Sequence, residues 1–299
     1  MASPGLRYLF AAAAATGVSA AAITAGATAG GAPSPVGLLP DLDQQTPTAL
    51  RIANTSAGGQ KAHWVLGFQS AVRNIGAGSL VITGTRMSRK SATMEAHQLI
   101  DRADGQRGKV AVKGRLRYAV APTHQHWHLL RFDRYELRRA GQSHAVVRDQ
   151  KTGFCLGDRY RVASYEVPAA KAAPTYVGSC GLAQPWKLTV MEGISPGYGD
   201  NYLPYLEGQS LPLTGLAAGH YVLVHRTNSD RALYESNYDN DAASVLIDLQ
   251  WRGTRPVVEL LATCPDSASC DSVLQAASAS TWSRSVPEGI VAAGYLGPR

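Results

Sequence analysis

The chain has 299 residues, 45% of them hydrophobic and 17% charged, with a net charge of +7. That is enough apolar material for one sizeable core, so a single domain is expected rather than two small ones. The positive charge does not point to nucleic acid, because no binding module and no ladder of basic and aromatic residues accompanies it.

The N-terminus reads as a leader. Arg7 supplies a positive start, residues 9–15 and the Ala-rich stretch beyond them form an apolar run, and Ala27-Thr28-Ala29 offers a small-residue cleavage site. Residues 1–29 are therefore expected to be a signal peptide, with the mature chain beginning near Gly30 in an extracytoplasmic compartment. A membrane anchor is the alternative. The run is thin in Leu, Ile and Val and broken by Gly17, Gly26 and Gly30, which favours export, and no later segment is long and apolar enough to span a bilayer. Residues 30–40 form a Gly/Pro linker.

From residue 41 onward helical periodicity is almost absent. Short alternating runs rich in Val, Leu, Ile, Tyr and Phe are separated by Gly, Pro, Asn and Asp, the pattern of an all-β sandwich with long loops and little helix over residues 41–251. Strands are expected at 66–73, 79–83, 115–120, 126–137, 221–226 and 243–249, with a turn at Asn74-Ile75-Gly76. In residues 221–226 both faces are partly apolar, which predicts a strand inside the sandwich, with His225 a hydrogen-bonded core residue rather than a ligand. After Trp251 the alternation fades, and residues 252–299 read as a C-terminal extension.

Cys155, Cys180, Cys264 and Cys270 suit an oxidising compartment, and their spacing favours Cys155 with Cys180 and Cys264 with Cys270. A zinc site built from these thiols is the weaker alternative, since no Cys-x-x-Cys pair or paired His spacing accompanies them. Charge is unevenly spread. Residues 101–151 carry twelve Lys or Arg against five acids, whereas residues 193–250 carry seven acids against Arg226 and Arg231. A cationic ligand would prefer the second segment, and solvated strand edges account for the first.

The segment Thr123-His124-Gln125-His126-Trp127-His128 places imidazoles at alternate positions, and in a strand all three would project from one face within reach of a single ion. Such a face would be hard to bury without an ion to share its lone pairs. Three neutral nitrogens with no thiolate suit copper, zinc or nickel, and the affinity order favours copper. Zinc is the competitor, because three His and a bound water would make a hydrolase or hydratase.

With those residues in place, the sequence resembles the lysyl oxidase family, whose copper motif is also His-Gln-His-aromatic-His followed by an aromatic, a Tyr, an acid and Leu; here these are Phe132, Tyr135, Glu136 and Leu137. Further along, Lys151-Thr152-Gly153-Phe154-Cys155-Leu156-Gly157-Asp158 is similar to the family's Lys-x-x-Phe-Cys-Leu-x-Asp segment. Gly193-Ile194-Ser195-Pro196-Gly197 leads on to Asp200-Asn201-Tyr202, and Glu235-Ser236-Asn237-Tyr238-Asp239-Asn240-Asp241 resembles its Glu-Ser-Asp-Tyr-x-Asn-Asn motif. The matches keep their order along residues 124–241.

The resemblance implies that Lys151 and Tyr202 fuse into a lysine tyrosylquinone. It also implies a copper amine oxidase that converts peptidyl-lysine or small primary amines to aldehydes, with O2 as oxidant and ammonia and hydrogen peroxide released. Some family members bind calcium at the last motif with an early acidic residue, matched here by Asp41. A base must remove a substrate proton. Asp200 is near in sequence, although a turn or capping role suits it better at this level. Departures from the family pattern are a shorter interval between His128 and Tyr135, Ala121 where animal members have a further His, fewer cysteines, and Asn237 and Asp241 in exchanged positions. Two other classes share the same residues: a zinc hydrolase, and a non-catalytic secreted β-sandwich that sequesters copper.

Overall fold

The computed structural model describes residues 37–56, 62–102, 104–121, 124–148, 153–162, 167, 169–206 and 208–279. The signal peptide expected over residues 1–29, and the linker up to residue 36, lie outside them. Among the described residues the chain forms strands β1 (Leu42–Gln44), β2 (Thr48–Asn54), β3 (Trp64–Asn74), β4 (Leu80–Thr85), β5 (Thr93–Asp101), β6 (Arg107–Tyr118), β7 (Trp127–Leu130), β8 (Asp133–Arg139), β9 (Ala145–Arg148), β10 (Gly153–Phe154), β11 (Tyr160–Arg161), β12 (Thr189–Ile194), β13 (Tyr198–Tyr202), β14 (Ser210–Pro212), β15 (Gly219–Thr227), β16 (Ala242–Arg252) and β17 (Arg255–Cys264), followed by a short helix, α1 (Asp271–Ala279). No helix among these residues is long and apolar enough to cross a membrane.

The strands make three antiparallel sheets, as the all-β reading expected. One runs β1-β3-β13-β11, with β2 and β14 also on β3; the second runs β10-β7-β6-β5-β4-β12; the third runs β17-β16-β15-β8-β9. Period-two alternation sends Leu66 and Phe68 of the first sheet, Ile82, Met94 and Leu129 of the second, and Leu137, Leu223 and Val245 of the third into one shared core. Outward positions are mainly polar. On β6 the basic residues Arg107, Lys109, Lys113, Arg115 and Arg117 all lie at exposed positions, so the basic stretch is the solvent face of an inner strand rather than a sheet edge.

β15 lies in the middle of its sheet, and both of its faces are covered. Leu223 faces the main core, while Val222 and Val224 join Leu246, Cys264 and Cys270 in a second apolar cluster that Val273 and Leu274 of α1 pack against. His225 is fully buried, with Nδ1 2.5 Å from the Gln44 amide and Nε2 2.6 Å from the Asp133 carboxylate. It is the hydrogen-bonded core residue that the sequence suggested. β17 pairs with β16 from Ser244↔Cys264 to Arg252↔Arg255, so this sheet continues past residue 251.

The single strand expected over 126–137 is two strands in different sheets. Arg131 takes a left-handed conformation (φ 64°) between β7 and β8, and the bend drops Phe132 into the core. The apolar run continues through the bend, which hides it from the sequence pattern. Both disulfides, Cys155–Cys180 and Cys264–Cys270, join the partners the spacing favoured.

Candidate metal centre

The three imidazoles lie at the mouth of the second sheet. His128 is in β7, His126 precedes it, and His124 is fixed by a bridge in which its N–H donates to Ala121 O at 3.0 Å. Only His128 is in a strand, yet the three rings lie close together. Their centres are 5.6 Å apart for His124 and His126, 5.5 Å for His124 and His128, and 4.7 Å for His126 and His128. Rings that ligate one ion from different sides at about 2.0–2.1 Å place their centres roughly 4.5–5.5 Å apart. The ring centres of the trio therefore lie close to that spacing.

The intervening residues face elsewhere and clamp the loop that carries the histidines. Trp127 is fully buried; its N–H donates to Cys180 O at 2.9 Å and its Nε1–H to Gln184 O at 3.2 Å, while Ala183 N–H donates to Gln125 O at 2.7 Å. The Arg86 guanidinium covers the indole at 4.6 Å. Because Cys180 is bonded to Cys155, the disulfide joins the back of the histidine loop to the chain that follows β10.

That chain reaches Tyr202. Cys155 N–H donates to the Tyr202 phenol oxygen at 3.1 Å, and the Phe154 ring lies 4.1 Å from the Tyr202 ring. Across the site the His124 ring is nearly parallel to the phenol ring, with an interplanar angle of 11° and centres 5.8 Å apart. The two sequence motifs that supply Cys155 and Tyr202 are tied together by Asp158. Its carboxylate accepts from Ser195 N–H (2.7 Å), Ser195 Oγ–H (2.8 Å) and the amides of Thr175 and Tyr176, pinning the turn that starts β13.

Asp200 and Tyr202 are two residues apart on β13 and both are buried, so they share the inward face of the strand. The turn role expected for Asp200 is thus replaced by a strand position. Burial pushes its carboxyl up to about 7, against the opposing pull of Arg159 and the Gly157 amide, which donates to it at 2.9 Å. Burial likewise raises the Tyr202 phenol, and Asp200 adds to the effect. Glu192, on β12, is buried near the disulfide and held well above the usual carboxylate range, chiefly by desolvation. His124, His126, Cys155, Arg159, Asp200 and Tyr202 line one cavity of about 400 Å³.

Arg159 and Glu192 had no signal in the sequence, since neither stands out by spacing or composition. Lys151 lies outside the described residues. Among those residues Cys155, Cys180 and Glu192 bring three potential donors within 4.8 Å of one another, but both sulfurs are committed to the disulfide.

Elsewhere in the structure Asp41, Glu235 and Asp241 form an acidic cluster. Asn240 Nδ2–H donates to Asp41 Oδ1 at 2.8 Å and Leu42 N–H to Glu235 Oε2 at 3.0 Å. Glu235 and Asp241 are both raised, first by burial and then by the neighbouring acids. Gly76 lets the segment carrying Asp41 pass close by: a Cβ there would stand 2.3 Å from Asp41 N.

Fold and site together define a class, an antiparallel β protein that presents three neighbouring imidazoles beside a caged tyrosine. The chain belongs to the lysyl oxidase family, whose pattern matches residues 100–259, more than half of its length. It is 29% identical over 119 residues to protein-lysine 6-oxidase of Rattus norvegicus, covering 40% of this chain and 25% of that protein. It is 28% identical over 131 residues to the Homo sapiens protein of the same name, covering 44% of this chain and 27% of that one. For the Sus scrofa protein-lysine 6-oxidase the identity is 29% over 119 residues, 41% of that protein. The match thus spans about a quarter of the length of the rat and human relatives.

Proposed function

We propose that the chain is an exported, copper-dependent amine oxidase that converts primary amines, as peptidyl-lysine or as small molecules, to aldehydes with release of ammonia and hydrogen peroxide. His124, His126 and His128 would hold the copper, and Lys151 and Tyr202 would supply the lysine tyrosylquinone. When bound, copper and the quinone supply the O2 chemistry and the electrophilic carbonyl that a primary amine attacks.

One observation carries the reading: the His124 ring lies parallel to the Tyr202 ring, with two further imidazoles within 5.6 Å of His124. The protein's own residues prepare this tyrosine. Phe154 and His124 fix the plane of its ring, and the Cys155 amide holds its oxygen. Buried beside Asp200, the phenol keeps its proton unaided, so a cation close by is what would ionise it. Asp200 Oδ is our choice for the atom that accepts the substrate proton. It shares a strand face with Tyr202 and lines the same cavity, and a carboxyl near 7 is matched to proton transfer around neutral pH.

The disulfides support an extracytoplasmic location. Asp41, Glu235 and Asp241 would hold calcium, whose charge offsets their mutual repulsion. The test is to express the mature chain with copper under air, measure bound metal, and follow peroxide release with hexylamine. Copper at one per chain and amine-dependent peroxide, both lost in His126→Ala, are expected. Bound zinc without oxidase activity would point to a hydrolase, and bound copper without peroxide to a sequestering protein.

A further inference from the structure

Arg159 stands in the wall of the cavity beside Asp200 and Tyr202, and its role is not explained by the fold. Its Nη2 donates to Gly178 O at 3.1 Å and touches Cys155 Sγ at 3.4 Å, while its Nε is 3.9 Å from Asp200 Oδ1, too far for a hydrogen bond. A guanidinium has five N–H donors. Those on Nε and Nη1 have no hydrogen-bond partner among the described residues, and the side chain keeps 32% exposure. Its position is built rather than loose. Gly157 leaves the space it occupies, since a Cβ there would stand 2.6 Å from the Arg159 Cζ. Among the described residues the only opposing charge lining the cavity is Asp200, which burial holds partly protonated near neutral pH.

We infer that Arg159 is a specificity-determining residue that binds a carboxylate on the amine substrate, so that the site selects primary amines whose chain carries an anionic group. The inference rests on the amine-oxidase reading for the identity of the substrate, while the anion site itself stands on the cavity. An unspent guanidinium fork pairs with a carboxylate through charge-assisted hydrogen bonds. The same positive charge repels a second ammonium, so diamines are poor substrates. The carboxylate has two sources: a small amino acid, or an acidic residue beside a lysine in a peptide.

Two measurements test this. First, kcat/KM is compared for 6-aminohexanoate, hexylamine and 1,5-diaminopentane, and for acetylated lysyl peptides with Asp or Asn next to the lysine, in the copper-loaded wild type, Arg159→Gln and Arg159→Lys. Wild type should prefer 6-aminohexanoate over hexylamine by about tenfold or more, with diaminopentane the poorest; Arg159→Gln should bring the ratio near one, and Arg159→Lys should keep part of it. A matching preference for the Asp peptide would assign the peptide source, and its absence the small molecule. Second, hexanoate binding is measured by calorimetry without turnover, and should be lost in Arg159→Gln. If no amine is oxidised, the oxidase reading falls while hexanoate binding still decides the role of Arg159. Equal substrate ratios in wild type and Arg159→Gln, or hexanoate binding unaffected by the substitution, overturns the inference, and a wild-type preference for hexylamine does so without any variant.

Discussion

Replacing Cys155 and Cys180 together by Ser should cost both stability and metal. The bridge closes a loop with a sequence separation of 25. By the loop-entropy relation its loss destabilises by about 3.5 kcal/mol. For a domain of this size each kcal/mol moves the midpoint by about 2–4 °C, so a drop on the order of 10 °C is expected. The Cys264–Cys270 bridge, with a separation of 6, is the internal control. The same relation gives about 2 kcal/mol for it. The two should differ in kind as well as size. Cys180 O accepts from Trp127 N–H, and the neighbouring Ala183 and Gln184 bond the same histidine loop, so freeing Cys180 loosens the frame that aims His126 and His128. Loss of such supporting contacts weakens metal affinity by about 10–100-fold. Calorimetric melting and copper titration against a competing chelator would be run on both double variants under oxidising conditions. Copper affinity unchanged in Cys155→Ser/Cys180→Ser would refute the argument that the disulfide supports the site. Equal loss in the control would show the effect to be one of general stability.

Asp200→Asn should lower kcat/KM by about 10²–10⁴-fold if this carboxylate accepts the substrate proton. Its raised value means the base form is scarce below about pH 7 and present above it. An alkyl amine also gains its neutral form as pH rises toward about 10.4, so log kcat/KM should climb with slope near two below about pH 7 and near one above it. A profile in which wild type and Asp200→Asn have the same slopes would remove Asp200 from the chemistry. Calcium should raise the melting temperature of wild type and not of Asp241→Asn, whose metal-free stability at neutral pH should hold or improve because the cost of keeping this buried carboxyl protonated is gone; scanning calorimetry with and without calcium checks both. Phe154→Ala should lower stability by about 3–5 kcal/mol and slow cofactor formation by freeing the Tyr202 ring, read from the yield of linked peptide per copper bound.

Much of the fold was legible because its inner strands carry strong alternation. Residues 66–73, 221–226 and 243–249 lie inside β3, β15 and β16, and all three contribute to the core. β5 was not legible: in Thr93–Asp101 the buried positions are Met94, Ala96, Gln98 and Ile100, and a small and a polar residue break the apolar signal. Gln98 is tolerated there because its amide is bonded to the backbone of Tyr234. β17 was hidden by exposed Leu260 and half-buried Val257 and Val258, which blur the alternation.

The proximity of the three histidines was legible from their spacing, although the strand argument for it was only partly apt. A bridge at Ala121 and a clamp on Trp127 bring His124 and His126 into place ahead of the strand. What no local pattern revealed was the packing of distant segments. The meeting of Arg159 with Asp200, and of Glu192 with the disulfide, depends on β12 and β13 lying in different sheets on either side of the Ser195 turn. Asp200 looked like a turn residue because turn residues surround it in sequence; only its pairing with Val72 shows it to be a strand residue with a buried side chain.

The proposed activity requires that Tyr202 be converted together with Lys151. The mature chain, expressed with copper under air and digested after alkylation, should yield by mass spectrometry a single peptide joining Lys151 to Tyr202, absent from protein made without copper and from His126→Ala. Unlinked Lys151 and Tyr202 peptides recovered in full from copper-loaded protein would contradict it.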